Sequence, residues 1–151
     1  MTASSSNIVN LNFPLDVEDG WPPIAVESMP FEVVDGHFRS LATPLFVRRL
    51  SRDDIIDAVR DEHGNVSEWR HVKKSARTTV WLLRQRADNK MPHYLDQFRS
   101  AGCSIVDLSK YGCYAVDVPA DIPISIVDEI ISKMDQDEVA VAFPSMRHQD
   151  K

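Results

Sequence analysis

The residues with the richest chemistry in this chain are five histidines, two cysteines, a basic run and several acidic pairs. His37, His63, His71, His93 and His148 form no His-Glu-x-x-His pair, and the cysteines form no Cys-x-x-Cys pair. A zinc site would need ligands converging from separate loops, and none is expected. Cys103 or Cys113 beside a histidine would make a nucleophile pair. Both cysteines instead open apolar stretches, where a thiol acts as a small core side chain. Neither a Gly-x-Ser-x-Gly nor a phosphate-loop spacing occurs. Asp53-Asp54 and Asp61-Glu62 are adjacent pairs, not carboxylates facing each other across a cleft. Nothing supplies a nucleophile, a base and an orienting group together. The expectation is a protein without catalytic residues, metal or cofactor.

Binding is the remaining chemistry. Arg70, His71, Lys73, Lys74 and Arg77 form the basic run. On a strand, Arg70 and Lys74 share one face and His71, Lys73 and Arg77 the other. The run therefore reads as a charged edge that resists self-pairing, rather than a grip for phosphate. Asp16, Glu18, Asp19, Asp53, Asp54, Asp57, Asp61 and Glu62 are expected on turns and strand ends of the first half. Gathered on one side, they would steer a basic protein into contact. A tight complex also needs aromatic anchors, for which Trp21 and Trp69 are the candidates. The candidate partner-binding set is Glu18, Asp19, Trp21, Asp53, Asp54, Asp61, Glu62 and Trp69. The opposing reading is an acidic surface with no partner. Within "EDGWPP", residues 18–23, Trp21 caps an open sheet end, or else forms an exposed proline-rich ligand.

These residues need elements to place them. Residues 8–15 alternate as a strand, residues 24–29 and 31–34 are extended, and Asp35-Gly36 reads as a hairpin turn into residues 37–41. Residues 45–48 read as a short edge piece. Residues 55–59 suit a strand or a helix, since Ser51-Arg52-Asp53-Asp54 resembles a helix start. The strand is favoured, because residues 66–71 alternate cleanly across the Glu62-His63-Gly64-Asn65 turn.

The second half predicts a strand over residues 79–85, a helix over 92–101 ended by Gly102, strands over 104–108 and 113–118, a second helix and a strand over 139–143. Asp121 is expected to cap the second helix, with Pro123 in its first turn. Its apolar face is Ile126, Val127, Ile130, Ile131 and Met134. On the last strand, Val139, Val141 and Phe143 share a side. The fold expected is α+β: a small curled antiparallel sheet or partly open barrel, then a ferredoxin-like β-α-β-β-α-β unit. The boundaries are a disordered N-terminus at 1–6, the sheet half at 7–78, the ferredoxin-like half at 79–144 and a disordered C-terminus at 145–151. A turn at Lys110-Tyr111 sets Leu108 opposite Cys113 and Cys103 near Val118. The thiols then lie roughly 17 Å apart at ~3.4 Å per residue, too far for a disulfide.

With 151 residues, 43% of them hydrophobic and 26% charged, the chain can bury a core without a staple. Its net charge of -6 divides evenly: nine Lys/Arg against twelve Asp/Glu before Thr78, and eight against eleven from there on. Nucleic acid would be repelled and a basic protein attracted. No signal-peptide pattern or apolar run long enough for a membrane occurs, and two cysteines suit a reducing compartment. A cytoplasmic, bacterial-type protein is expected.

Several segments resemble one family. "DGWPPIAVES" (residues 19–28) is similar to the opening motif of the bacterial family called domain of unknown function 4265. "ATPLF" (42–46), "SRDDIIDA" (51–58), "SARTTVWL" (75–82), "LDQFRSAGCSIV" (95–106) and "YAVDVPADI" (114–122) resemble its later segments. The chain departs from the pattern at Met29-Pro30, where a Trp is usual, at Arg52 or Asp53 in place of a Gly, and at Ala76 in place of a Gly. The resemblance implies no enzyme activity. It implies a small accessory protein, some such proteins being presumed immunity factors.

The expected function is a non-catalytic acidic protein-binding module, an immunity-type inhibitor that neutralises a toxin or effector domain by direct binding. The alternative is a small-molecule-sensing regulatory domain acting as a homodimer.

Overall fold

The computed structural model describes residues 7–86 and 90–148. The expected residues 1–6 of the N-terminus lie outside the described residues. Nine strands and two helices are described, in an α+β arrangement of two mostly antiparallel sheets.

The first sheet is a meander. β1 (Ile8–Pro14), β2 (Val26–Val34), β3 (His37–Ser40), β4 (Ile55–Arg60) and β5 (Val66–Lys73) lie side by side in chain order. The two extended pieces expected around Pro30 are one strand, β2, because Pro30 sits opposite Asn10 without ending the ladder. The strand reading of residues 55–60 holds: β4 pairs with β5 through bulges at both ends. Alternation turns Leu11 and Phe13 inward with Met29, Phe31, Ile56 and Val66, and Leu50 closes the core beneath them. The sheet curls until its edges touch at one bridge, Asn12 to Asn65. It does not close into a barrel.

The second half runs β6 (Thr78–Arg84), α1 (Met91–Ser100), β7 (Ser104–Leu108), β8 (Cys113–Val118), α2 (Ile124–Ser132) and β9 (Val139–Ser145). Its sheet has the order β7-β8-β6-β9 with every neighbour antiparallel. The predicted hairpin register is found: Leu108 faces Cys113. Both cysteines are buried, free thiols at opposite ends of that hairpin. Helix residues Met91, Tyr94, Leu95, Phe98, Val127 and Ile130 share one core with Val80, Leu82, Tyr114, Val116 and Val118. The other face of the sheet, bearing Thr79, Trp81, Cys113 and Asp117, turns toward the first half.

Four local expectations are corrected. Residues 45–48 are irregular, because the side chain of Glu27 binds their backbone in place of a strand. Asp121 does not cap α2; Pro123 takes the N-cap position without a side-chain bond. Ile126 faces outward, and Ile124 takes its place in the core. Phe143 is also exposed, since a bulge in β9 breaks the alternation after Ala142.

Candidate functional site

Glu27 organises the site from beneath. It points inward from β2 and accepts the backbone N–H groups of Leu45, Phe46 and Val47 at 2.7, 2.9 and 3.1 Å. Burial pushes its carboxyl above the usual range, and the three N–H donors offset only part of that. The carboxyl group therefore clamps the backbone of residues 45–47. Trp81 of β6 holds the same loop from the other side, donating its indole N–H to the Pro44 carbonyl at 2.8 Å. The Arg48 guanidinium lies 5.5 Å above the Trp81 ring.

A second loop meets the first. Glu18 and Trp21 exchange two backbone hydrogen bonds across Asp19-Gly20, and the Trp21-Pro22 peptide is cis. The Trp21 ring lies edge-on to Phe46, with centroids 6.1 Å apart. Trp21 is 46% exposed. It is therefore a half-open wall, between the buried cap and the free ligand that the sequence suggests.

Between these loops and the outer sheet face lies a cleft of about 580 Å³. Trp21, Phe46 and Trp81 form its aromatic walls, with Leu83, Cys113, Ala140 and Ala142 also lining it. Asp16 and Glu18 stand exposed at it, and neither forms an ion pair among the described residues. A smaller cleft of about 390 Å³ borders it across Asp16, Phe46 and Arg48, and contains Glu68 and Trp69.

A polar junction joins the two halves. Asp54 is 0% exposed. It accepts bonds from both terminal nitrogens of Arg147 at 2.8 and 2.9 Å, from the backbone N–H groups of Ser51 and Ser75, and contacts His71 Nε2 at 2.9 Å. Burial pushes its carboxyl up, but these partners outweigh it and hold it below the usual range. The Ser51 hydroxyl reaches Thr79 and Ser145 beside it. Arg77 spans from Asp53 to Asp117. Asp117 is buried and carries one oxygen without a hydrogen-bond partner among the described residues, and burial keeps its carboxyl above the usual range despite Arg77.

The structure separates the predicted partner-binding residues. Glu18 and Trp21 share the main cleft, with Asp19 exposed in the turn between them. Asp61 and Glu62 are exposed in the β4–β5 turn and line neither cleft, and Asp61 accepts the N–H groups of His63 and Asn65. Asp53 pairs with Arg77. Trp69 is partly buried, edge-on to Phe13 and beneath Arg49. Asp54 requires correction: fully enclosed and paired with Arg147, it presents nothing to a partner. The C-terminal boundary changes for the same reason. Residues 145–148 pack against the body, Arg147 on Asp54 and His148 on Thr78, while residues 149–151 lie outside the described residues. The basic run does divide, with Arg70 on Asp57, His71 on Asp54 and Arg77 on Asp53 and Asp117. No cluster of metal-ligand side chains occurs among the described residues. No described helix is long and apolar enough to cross a membrane.

Sequence reasoning missed Phe46, Arg48 and Trp81 as site residues. No local sequence pattern signals them, because the loop bearing Phe46 and Arg48 is shaped by Glu27 and Trp81, far from it along the chain.

The site and fold define an α+β protein of two packed antiparallel sheets with an aromatic cleft between them. The chain belongs to the family described as domain of unknown function (DUF4265), which matches residues 27–142. The match begins at Glu27, so the Trp21 turn lies ahead of it. The crystal structure of a hypothetical protein from Neisseria gonorrhoeae is similar, with a TM-score of 0.72 at 17% identity, covering 98% of this chain and 100% of that one. At that identity the likeness is one of fold. No curated protein matches the sequence.

Proposed function

We propose that this protein is a non-catalytic protein-binding module, an immunity-type inhibitor that neutralises a basic toxin or effector domain, and that the main cleft receives a cationic side chain of that partner. The observation that carries the reading is two carboxylates, Asp16 and Glu18, that form no ion pair among the described residues and stand at a cleft walled by Trp21 and Phe46. An aromatic face attracts a Lys or Arg head by roughly 0.5–2 kcal/mol, more when water is excluded. The Arg48–Trp81 stack displays that chemistry within the same cleft. Two carboxylates against one guanidinium leave the site acidic, matching the net charge of -6. Carboxylates at the rim would speed association and make it salt-sensitive. The second half, with its β-α-β-β-α-β order, serves in this reading as a ferredoxin-like platform under the cleft, in a cytoplasmic protein.

The cleft volume favours one alternative. About 580 Å³ falls within the range of small-ligand sites, which suits a sensing domain.

Affinity capture from lysate of the source organism tests the two. The wild-type protein should retain one basic protein in stoichiometric amount at low salt and release it at high salt. Trp21→Ala and the Asp16→Asn/Glu18→Gln double variant should both lose it. Because Trp21 is half exposed, Trp21→Ala should cost less stability than the ~3–5 kcal/mol of a core aromatic. Retention by the double variant would refute the proposed site. No partner at either salt, with a metabolite raising the melting temperature, would favour the sensor.

A further inference from the structure

We infer that the free edge of β9 pairs with β9 of a second copy, joining two four-stranded sheets into one. This does not rest on the partner-binding reading. Sheet edges in stable monomers are blunted by charge, curling or cover. β5 carries Glu68, Arg70, His71 and Lys73 along its length, and β7 carries Asp107. β1 curls against β5. β9, with the sequence VAVAFPS, has no charge at all. Its protection is confined to the ends: at one the Val139 N–H donates to the Asp135 carbonyl, and at the other Pro144 and the bulge interrupt the strand and the Pro144 carbonyl accepts the Arg49 N–H.

The middle of the strand is open. Gln85 N–H donates to the Glu138 carbonyl, so antiparallel alternation turns the N–H and C=O of Val141 away from β6. They meet no backbone partner among the described residues. Ala142 and Phe143 beside them are exposed.

The occupant that fits is the strand itself. A two-fold axis through Val141 makes Val141 and its copy a hydrogen-bonded pair. Ala140 then faces Ala142 of the second copy, small against small. An uncharged strand meets its copy without the like-charge repulsion that β5 or β7 would suffer. Because each copy carries a charge of -6, salt should tighten the pair by screening long-range repulsion.

Sedimentation equilibrium of the full chain tests this. The wild type should shift with concentration from 17.1 kDa toward twice that mass, further at high salt. Across the axis, Ala142 of each copy is a diagonal neighbour of the other. Ala142→Lys and Ala142→Glu should each raise the dissociation constant roughly fivefold or more. An equimolar mixture of the two should restore dimers. Circular dichroism melts confirm that both variants fold. A wild type that stays at 17.1 kDa up to the highest soluble concentration, or dimers indifferent to both variants, would overturn the proposal. So would dimers whose two Ala142 variants fail to rescue each other. A β9 edge filled instead by a strand of another protein would show as a monomer whose complex is broken by both Ala142 variants, and would also overturn it.

Discussion

At the residue scale, Asp54 shows how a charge survives burial. Its attraction to Arg147 is reinforced by two backbone donors and His71, so both oxygens are satisfied. Asp54→Asn would leave Arg147 enclosed with no counter-charge. Breaking such a pair costs about 3–5 kcal/mol, measurable by urea unfolding. The pH dependence has a definite sign. The folded carboxyl sits below its ordinary 3.8, so its stabilising contribution is complete above that value and lost as pH falls through the depressed one. Acid titration of the wild type should show this loss, and the Asn variant should lack it. The cysteines behave oppositely. Burial, then the nearby Asp117, pushes Cys103 up to about 11, and burial raises Cys113. Iodoacetamide at pH 8 should leave both thiols unmodified in the folded protein and alkylate both in denaturant, as read by intact mass. Rapid native labelling of either would contradict their burial.

At the element scale, regular strands were readable and irregular loops were not. β1 announces itself by alternation, because Leu11 and Phe13 face the core while the residues between and beside them do not. The cleft gave no such sign. Its walls are loops whose shape depends on side chains far along the chain, Glu27 beneath residues 45–47 and Trp81 behind Pro44. Local patterns also misled at Phe143, where one extra residue in β9 reversed its direction. Asp54 was misread among the partner-binding residues because the Asp53-Asp54 pair looks solvated; its partner is 93 residues away. The turn after α1 is more local and more predictable. Gly102 holds φ +105°, and a Cβ there would lie 2.9 Å from Ile122 Cδ1. Gly102→Ala should therefore destabilise by about 1–3 kcal/mol. Gly36→Ala, at φ +79° with open space around it, should cost less. Thermal melts of the pair separate backbone strain from the added clash.

At the scale of the whole molecule, two hydrophobic cores are joined by a polar seam. Ser51, Thr79, Ser145, Asp54 and Arg147 meet there, and Asp53, Arg77 and Asp117 continue it. A buried hydrogen-bonded network is stiffest where its members are satisfied, as Asp54 and Arg147 are here. Wild-type unfolding should be a single transition, identical by tryptophan fluorescence and by far-ultraviolet circular dichroism. Arg147→Ala removes the side chain that reaches Asp54, Ser75 and Arg49 at once. It should split the transition in two, the first-sheet half melting earlier. One coincident, unshifted transition would show that the cores couple through other contacts.

That dependence on Arg147 has a consequence for how the protein is born. The ribosome finishes all of the first sheet long before it reaches residue 147. Until then, the nascent sheet holds Asp54 without the Arg147 guanidinium against it. The first sheet must therefore wait for an arginine 93 residues beyond Asp54 before its buried charge is matched.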